Sequence, residues 1–157
     1  MPAIWRAMQE ADLAAVNRIA DLVHPDFPEA AEIPAERLRL YPAGCLVLDR
    51  NGEALGYAVS HPWHAGKPPA LDTLLGALPE IPTHYYVHDL ALLPAARGTG
   101  AAHKAVVQLI AVAAQAGLAR MTLVAVNNSS GFWQRQGFRA VGPAPVSYGA
   151  DARVMAL

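Results

Sequence analysis

The sequence predicts an α/β fold, a mixed sheet with helices on both faces, and three observations lead to it. Segments of strand-like apolar pattern interleave with segments of helical period in the order β-α-α-β-β-β-α-β-α-β-β. The chain has 157 residues, is 54% hydrophobic and is only 16% charged, which is the length of one domain and the composition of a packed core rather than of a disordered chain. Residues 85–117 read as a strand, a tight glycine turn and a long helix, and the other elements are arranged around them.

In chain order, 3–7 suits a first strand. Residues 10–23 suit a helix, with Leu13, Val16, Ala20 and Val23 on one face and Glu10 and Asp12 in the first turn, where the helix dipole favours negative charge. His24-Pro25-Asp26-Phe27-Pro28-Glu29 breaks it, and Pro34 then suits the first position of a second helix over 34–40. After a turn at 42–44, 45–49 and 54–61 read as two strands joined at Asn51-Gly52, the strongest short hairpin signal. Residues 62–84 are irregular and carry five prolines, Pro62, Pro68, Pro69, Pro79 and Pro82, yet Leu71, Leu74, Leu75 and Leu78 keep helical spacing and predict a short docked helix. A long, stiff insertion of this kind is expected to border a binding pocket.

The central strand follows. Tyr86, Val87, Leu90, Leu92 and Leu93 suit burial, and Pro94 ends the strand because it cannot donate to the ladder. Gly98 and Gly100 let the backbone turn sharply and approach a ligand closely. Ala102, Ala105, Val106, Leu109, Ala113 and Ala116 then recur at helical spacing up to Gly117, a natural stop. The free N–H groups at that helix start make an anion site, fit for a phosphate or pyrophosphate. Strands over 121–126, 138–141 and 153–157, with a short helix before Gly137-Phe138, complete the chain.

Three glycine-turn families compete for this site. No G-x-x-x-x-G-K-[ST] run exists, so it is not a P-loop. Gly98 and Gly100 supply half of a dinucleotide fingerprint, but His103 stands where the third glycine belongs and no acidic residue follows the next strand, so a nicotinamide-dependent oxidoreductase is disfavoured. Arg97-x-x-Gly100-x-Ala102 matches [Q/R]-x-x-G-x-[G/A], and Asn127-Asn128-Ser129-Ser130-Gly131-Phe132-Trp133-Gln134-Arg135-Gln136-Gly137-Phe138 follows the next strand. In order and spacing these resemble the two motifs of the GNAT superfamily of N-acetyltransferases. The resemblance covers roughly the last half of the chain, and the first half has a compatible order of elements.

The resemblance implies a mostly antiparallel central sheet whose middle strands splay apart, with acetyl-CoA entering the gap. It implies that the backbone of Arg97, Gly98, Thr99, Gly100, Ala101, Ala102 and His103 cradles the pyrophosphate. It also implies that the pantetheine arm pairs with Leu90, Ala91 and Leu92 as if it were a strand. Asn128 is expected to cap the short helix and to bond the pantetheine amide, and Trp133 to pack along the cofactor arm.

Acetyl transfer from a thioester to an amine requires a base for the ammonium, a donor for the tetrahedral oxyanion and an acid for the thiolate. His88 is the candidate base, because its ordinary pKa lies near neutrality. Val87-His88-Asp89-Leu90-Ala91-Leu92 resembles the core strand of the arylalkylamine N-acetyltransferase branch, where a histidine at the position of His88 helps deprotonate the amine through water. Tyr86 joins His88 as a candidate catalytic residue, although that branch carries a second histidine there. Regular alternation puts His84, Tyr86 and His88 on one face and Tyr85, Val87 and Asp89 on the other, which makes Asp89 a structural carboxylate. The backbone N–H of Leu92 is the oxyanion donor by resemblance. Many relatives carry a tyrosine acid where this chain has Trp133, whose indole N–H is no usable acid; Tyr148 substitutes only if its loop folds back. A binding module of the same fold that senses acyl-CoA without catalysis is therefore the rival reading.

Other features weigh less. Asp26, Glu29 and Glu32 can attract a cationic amine or form a solvated acidic loop, and Trp5, Phe27, Tyr41 and Trp63 can line a pocket or fill the core. His61 and His64 read as surface histidines flanking Trp63 rather than half a metal site, so no metal is expected. Cys45 reads as a buried, inert apolar residue, and as the single cysteine it excludes an intramolecular disulfide. No G-x-S-x-G marks a hydrolase nucleophile. A net charge of −1 without long runs of either sign gives no footprint for nucleic acid. The apolar stretch 105–126 is interrupted by Gln108, Gln115, Gly117 and Arg120 and is not a membrane span; the N-terminus lacks a signal pattern. The expectation is one domain over 1–157, soluble and cytoplasmic, which transfers an acetyl group from acetyl-CoA to a primary amine of a small molecule; the resemblance also allows a homodimer.

Overall fold

The computed structural model describes residues 2–64 and 67–157. Its strands are β1 (Ile4–Ala7), β2 (Cys45–Arg50), β3 (Glu53–Trp63), β4 (His84–Leu92), β5 (Met121–Ala125), β6 (Arg139–Pro143) and β7 (Arg153–Ala156). Its α-helices are α1 (Leu13–Val23), α2 (Glu32–Leu40), α3 (Ala101–Gln115) and α4 (Ser130–Arg135). The strands form one sheet in the order β1-β2-β3-β4-β5-β7-β6, antiparallel throughout except for β4 against β5.

Local chemistry explains much of this. Asn51 and Gly52 take φ of 55° and 85° between the paired ends Arg50 and Glu53, the left-handed pair that matches strand twist in a two-residue hairpin. Val106, Leu109 and Ala113 of α3 pack on Tyr85, Val87 and Leu123 on one side of the sheet. Val16 and Ile19 of α1 pack on Val47, Tyr57, Val59 and Ala91 on the other. Each large aliphatic side chain so buried stabilises the fold by roughly 1.5–3 kcal/mol. Cys45 lies fully buried within the second cluster, as expected.

The two middle strands part early. β4 meets β5 only where Tyr85, Tyr86 and Val87 face Met121, Thr122 and Leu123. β4 nonetheless runs on to Leu92, held by β3 alone. Val59 pairs with Asp89 and the next residue, Ser60, with Val87, so His88 is an extra residue in β4, a β-bulge, where the parallel pairing stops. Beyond it, Leu93 N–H donates to Leu55 O at 2.8 Å. Ladder alternation then turns the backbone of Ala91 toward β3 and that of Leu90 and Leu92 toward the gap.

Several boundaries move, and one expected element is absent. The helix expected over 10–23 begins as a 3-10 turn, Glu10–Asp12, and α2 begins two residues before Pro34. Leu71, Leu74, Leu75 and Leu78 form no helix. The backbone N–H groups of Leu75 and Gly76 donate instead to the Glu36 carboxylate at 2.7 and 3.0 Å, and Thr73 O accepts from Arg37 Nη1 at 3.2 Å. Between Pro69 and Pro79 the chain is too short to offset helix nucleation, and these polar anchors take its backbone groups.

Candidate active site

The gap between β4 and β5 opens into a cavity of about 420 Å³. Val87, His88, Asp89, Leu90, Ala91 and Leu92 form one wall. Leu123, Val124, Val126 and Asn127, with Ser129, Phe132 and Trp133 of the α4 region, form the other. Val23, His24, Phe27 and Glu29 close it from the end of α1 and the loop that follows; Leu71 and Tyr148 complete that end, and Arg97 and Ala102 stand at the opposite one.

At the Arg97 end the glycine turn has the geometry expected of it. Gly98 and Gly100 have φ of 75° and 82°, and a Cβ built on either would meet no protein atom within 4 Å. The side chain at this turn is therefore limited by backbone conformation, and the space outside it is open to a ligand. The first bond of α3 runs from Lys104 N–H to Gly100 O at 3.1 Å, which leaves the N–H groups of Ala102 and His103 without an intrahelical acceptor. Thr99 Oγ1 donates to Ala96 O at 2.6 Å, and the His103 ring pairs with Gln136 at 2.7 Å. Arg97 Nε donates to Leu92 O at 3.3 Å, consistent with that carbonyl pointing away from β3. Gly98, Thr99, Gly100, Ala101 and His103 lie outside the cavity lining, on the turn and helix start beyond it. Free N–H donors, open glycines and an arginine suit a pyrophosphate; the gap-facing backbone of Leu90 and Leu92 suits an amide-bearing arm.

At the other end the bulge overturns one expectation. With His88 inserted, Asp89 does not face away from it. His88 Nε2 bonds Glu29 Oε1 at 2.8 Å, and Asp89 Oδ1 bonds His24 Nε2 at 2.8 Å. Asp89 also accepts the Tyr57 hydroxyl, and Asn127 bonds the other His24 nitrogen at 2.9 Å. Two histidine–carboxylate couples thus stand side by side in the cavity wall. Burial would lower the His24 pKa, but the charge of Asp89 and the hydrogen bond to it outweigh burial and raise it. Burial would raise the Asp89 pKa, but His24 opposite it holds the carboxyl below its ordinary value. Glu29 is likewise penalised by burial and yet held below the ordinary value by its hydrogen bond to His88.

Tyr86 is fully buried beside His88, with ring centroids 6.4 Å apart, and lies behind the cavity rather than in its wall. Its hydroxyl and that of Tyr148 interact, and burial together with this contact raises the Tyr86 pKa well above its ordinary value. The loop bearing Tyr148 does fold back: a 3-10 turn, Val146–Tyr148, brings this residue into the cavity wall at 7% exposure. Burial raises its pKa and keeps the hydroxyl protonated. Trp133 lines the cavity with its ring edge-on to Phe132 and Phe138, at centroid distances of 5.0 and 5.3 Å.

Two expectations fail here. Asn128 does not cap α4: the cap is Ser129, no side chain bonds there, and Asn128, at φ 58°, lines a second cavity instead. The residue that reaches the first cavity is Asn127. His61 is not a surface histidine but fully buried, edge-on to Trp63 at 5.5 Å, and burial lowers its pKa to about 3. Sequence reasoning passed over His24 as a mere helix breaker and read Glu29 only as a charge. The signal for both was their place on either side of Pro25 and Pro28, in the loop that follows the first helix.

A sequence profile of the acetyltransferase (GNAT) family matches residues 16–138. The chain belongs to the acetyltransferase (GNAT) family. Membership carries acyl transfer, with acetyl-CoA as the co-substrate. No curated protein matches the sequence at a significant level. Solved structures share the fold at low identity. The loading GNATL domain of CurA from Lyngbya majuscula superposes with a TM-score of 0.82 at 14% identity, over 99% of this chain and 97% of that one. Ard1 from Thermoplasma volcanium gives 0.79 at 15% identity, over 100% and 97%. Arabidopsis thaliana Naa50, in complex with the bisubstrate analogue CoA-Ac-MVNAL, gives 0.76 at 12% identity, over 100% and 99%. Among the described residues no helix is long and apolar enough to cross a membrane.

Proposed function

We propose that this GNAT protein acts as one domain that transfers an acetyl group from acetyl-CoA to a primary amine of a small molecule. The observation that carries the reading is the His88–Glu29 couple at the mouth of the β4–β5 gap, next to gap-facing backbone and in one cavity with the Arg97 end. The turn from Arg97 to His103 would hold the pyrophosphate, Leu90 and Leu92 the pantetheine amides, and Phe132 and Trp133 the apolar part of the arm.

Glu29 presents an ionised carboxylate at the cavity wall, where it would hold the acceptor's ammonium. Its Oε2 accepts the Asp72 N–H at 3.0 Å and its Oε1 faces His88, so the side chain is held from both sides. The couple takes the ammonium proton and leaves an amine that can attack the thioester carbonyl. The Leu92 N–H is the candidate donor to the resulting oxyanion. Tyr148, buried and protonated, stands where the family's tyrosine does not, and supplies the hydroxyl that Trp133 lacks; this favours catalysis over a purely binding module. A small acceptor is favoured because three loops interlock over this end: Ala30 N–H donates to Asp72 at 2.7 Å, and Leu71 N–H to Ser147 Oγ at 3.1 Å.

Calorimetric titration with acetyl-CoA, with NADH and ATP as controls, tests the co-substrate. Thiol release with a panel of primary amines tests the reaction. Acetyl-CoA binding with amine-dependent release is expected; binding without release from any amine or peptide would instead support the binding module.

A further inference from the structure

Of the two histidine–carboxylate couples in the cavity wall, the one at His24 takes no part in the chemistry derived above. Both of its ring nitrogens are occupied, and from opposite walls. Nε2 lies 2.8 Å from Asp89 Oδ1 on β4, and Nδ1 lies 2.9 Å from Asn127 Nδ2, just past the end of β5. β4 and β5 do not pair beyond Val87 and Leu123, so this imidazole bridges the open gap. Asp89 accepts the Tyr57 hydroxyl as well, and despite burial its carboxyl stays below its ordinary pKa beside His24, so it is committed as an acceptor. A neutral His24 then carries its proton on Nε2 and leaves Nδ1 as a bare lone pair. The Asn127 amide meets that lone pair with its amino group, which turns Oδ1 away from the ring. Asn127 is exposed and lines the cavity, and its side chain makes no other hydrogen bond among the described residues.

An arm lying along β4 presents trans amides, whose C=O and N–H point opposite ways. An amide whose carbonyl accepts a gap-facing N–H of β4 turns its own N–H toward the β5 side, where an acceptor is needed. Oδ1 of Asn127 is such an acceptor. Protonation of His24 reverses the arrangement: Nδ1–H then needs an acceptor itself, Asn127 turns Oδ1 to the ring, and its amino group faces the arm donor to donor. The charged groups that face His24 and set when this happens are Asp89 on β4, Glu29 in the loop after α1 and Arg97 beyond β4. We propose that His24, held by Asp89, is a positioning residue for Asn127, and that its protonation state sets the polarity of the hydrogen bond this amide offers to the pantetheine arm of acetyl-CoA. This rests on the placement of acetyl-CoA in the β4–β5 gap and is independent of the acceptor.

The test is calorimetry of acetyl-CoA against the wild type, His24→Gln and His24→Ala from about pH 5.5 to 8.5, a range that spans the ordinary histidine value. Glutamine is the informative replacement, because its amide keeps one donor for Asp89 and one acceptor for Asn127 but takes up no proton in this range. Wild type and His24→Gln should bind alike at the alkaline end. As pH falls through the His24 value, the wild type should weaken about fivefold relative to His24→Gln, the worth of one hydrogen bond. His24→Ala should be weaker throughout and show no such step. The ligand's own phosphate titrates near about pH 6 against all three proteins, so the differences between them carry the result. Parallel profiles for wild type and His24→Gln, or a glutamine variant no better than the alanine one, would overturn the proposal and leave acetyl-CoA binding standing. If the wild type binds no acetyl-CoA at any pH, the co-substrate reading and this proposal fall together. Heteronuclear NMR of the ligand-free protein gives a readout apart from binding. The Asn127 side-chain amide should titrate with the His24 ring in the wild type and not in His24→Gln, and an amide indifferent to pH in the wild type would also overturn the proposal.

Discussion

The two ends of the groove are built in opposite ways. The Arg97 end comes from one continuous run, β4, the glycine turn and the start of α3, and it presents mainly backbone groups. The end proposed for the acceptor is assembled from separate segments, with Glu29 after α1, Leu71 in the long crossover, His88 and Asp89 on β4, and Tyr148 before β7, and it presents side chains. A backbone site tolerates sequence change wherever φ is permitted. A side-chain site loses function with single atoms. The two ends should therefore fail differently when altered.

The largest effect should come from the His88–Glu29 couple. Glu29→Gln or His88→Ala is expected to lower kcat on the order of a hundredfold or more while acetyl-CoA affinity holds. Loss of affinity without loss of kcat would erase the difference between the ends. Next is the turn. Gly100→Val places a β-branched residue at φ 82° and should weaken acetyl-CoA binding at least about tenfold, with a lower Tm, whereas Gly100→Ala should do less of both. Tyr148→Phe should lower kcat by about tenfold with little change in KM, if its hydroxyl serves the leaving thiolate; an unchanged kcat would remove it from the chemistry.

The His24–Asp89 couple sets a pH dependence of stability. The raised His24 pKa means its contribution is complete below the unfolded value near 6.5 and is lost as pH rises through the folded value. The lowered Asp89 pKa means its contribution is present above the unfolded value near 3.9 and is lost as pH falls through the folded value. Denaturant midpoints of the wild type should therefore exceed those of Asp89→Asn most between about pH 4 and 6.5. A difference that keeps growing above pH 7 would contradict the pairing. The smallest effect should be that of Ser147→Ala, which removes the acceptor of the Leu71 N–H and should cost about 1 kcal/mol, or about 2–4 °C in Tm.

How much was legible follows the same division. The hairpin at Asn51-Gly52, the strand that Pro94 ends and the helix that Gly117 stops are local events, each set by residues within a few positions, and all three lie where pattern places them. The leucine stripe at 71–78 misled because periodicity reports a possible apolar face but not the polar partners that compete for the backbone. Glu36 and Arg37 lie over thirty positions away and capture that backbone. Asp89 misled because strand alternation assumes equal residue counts on both strands, and the bulge at His88 breaks that count. Asn128 misled by one position: Asn127 and Asn128 are both left-handed, and helix geometry begins only at Ser129.

The sequence by itself determined the order of elements, the glycine turn and the family, because these depend on short-range spacing and on backbone conformations that glycine and proline impose. Only the tertiary structure decided which side chains meet at the acceptor end. His24 reaches Asn127 across 103 positions and His88 reaches Glu29 across 59. Those meetings depend on one extra residue in one strand and on where three loops lock, and no local pattern encodes the sum of such long-range packing choices.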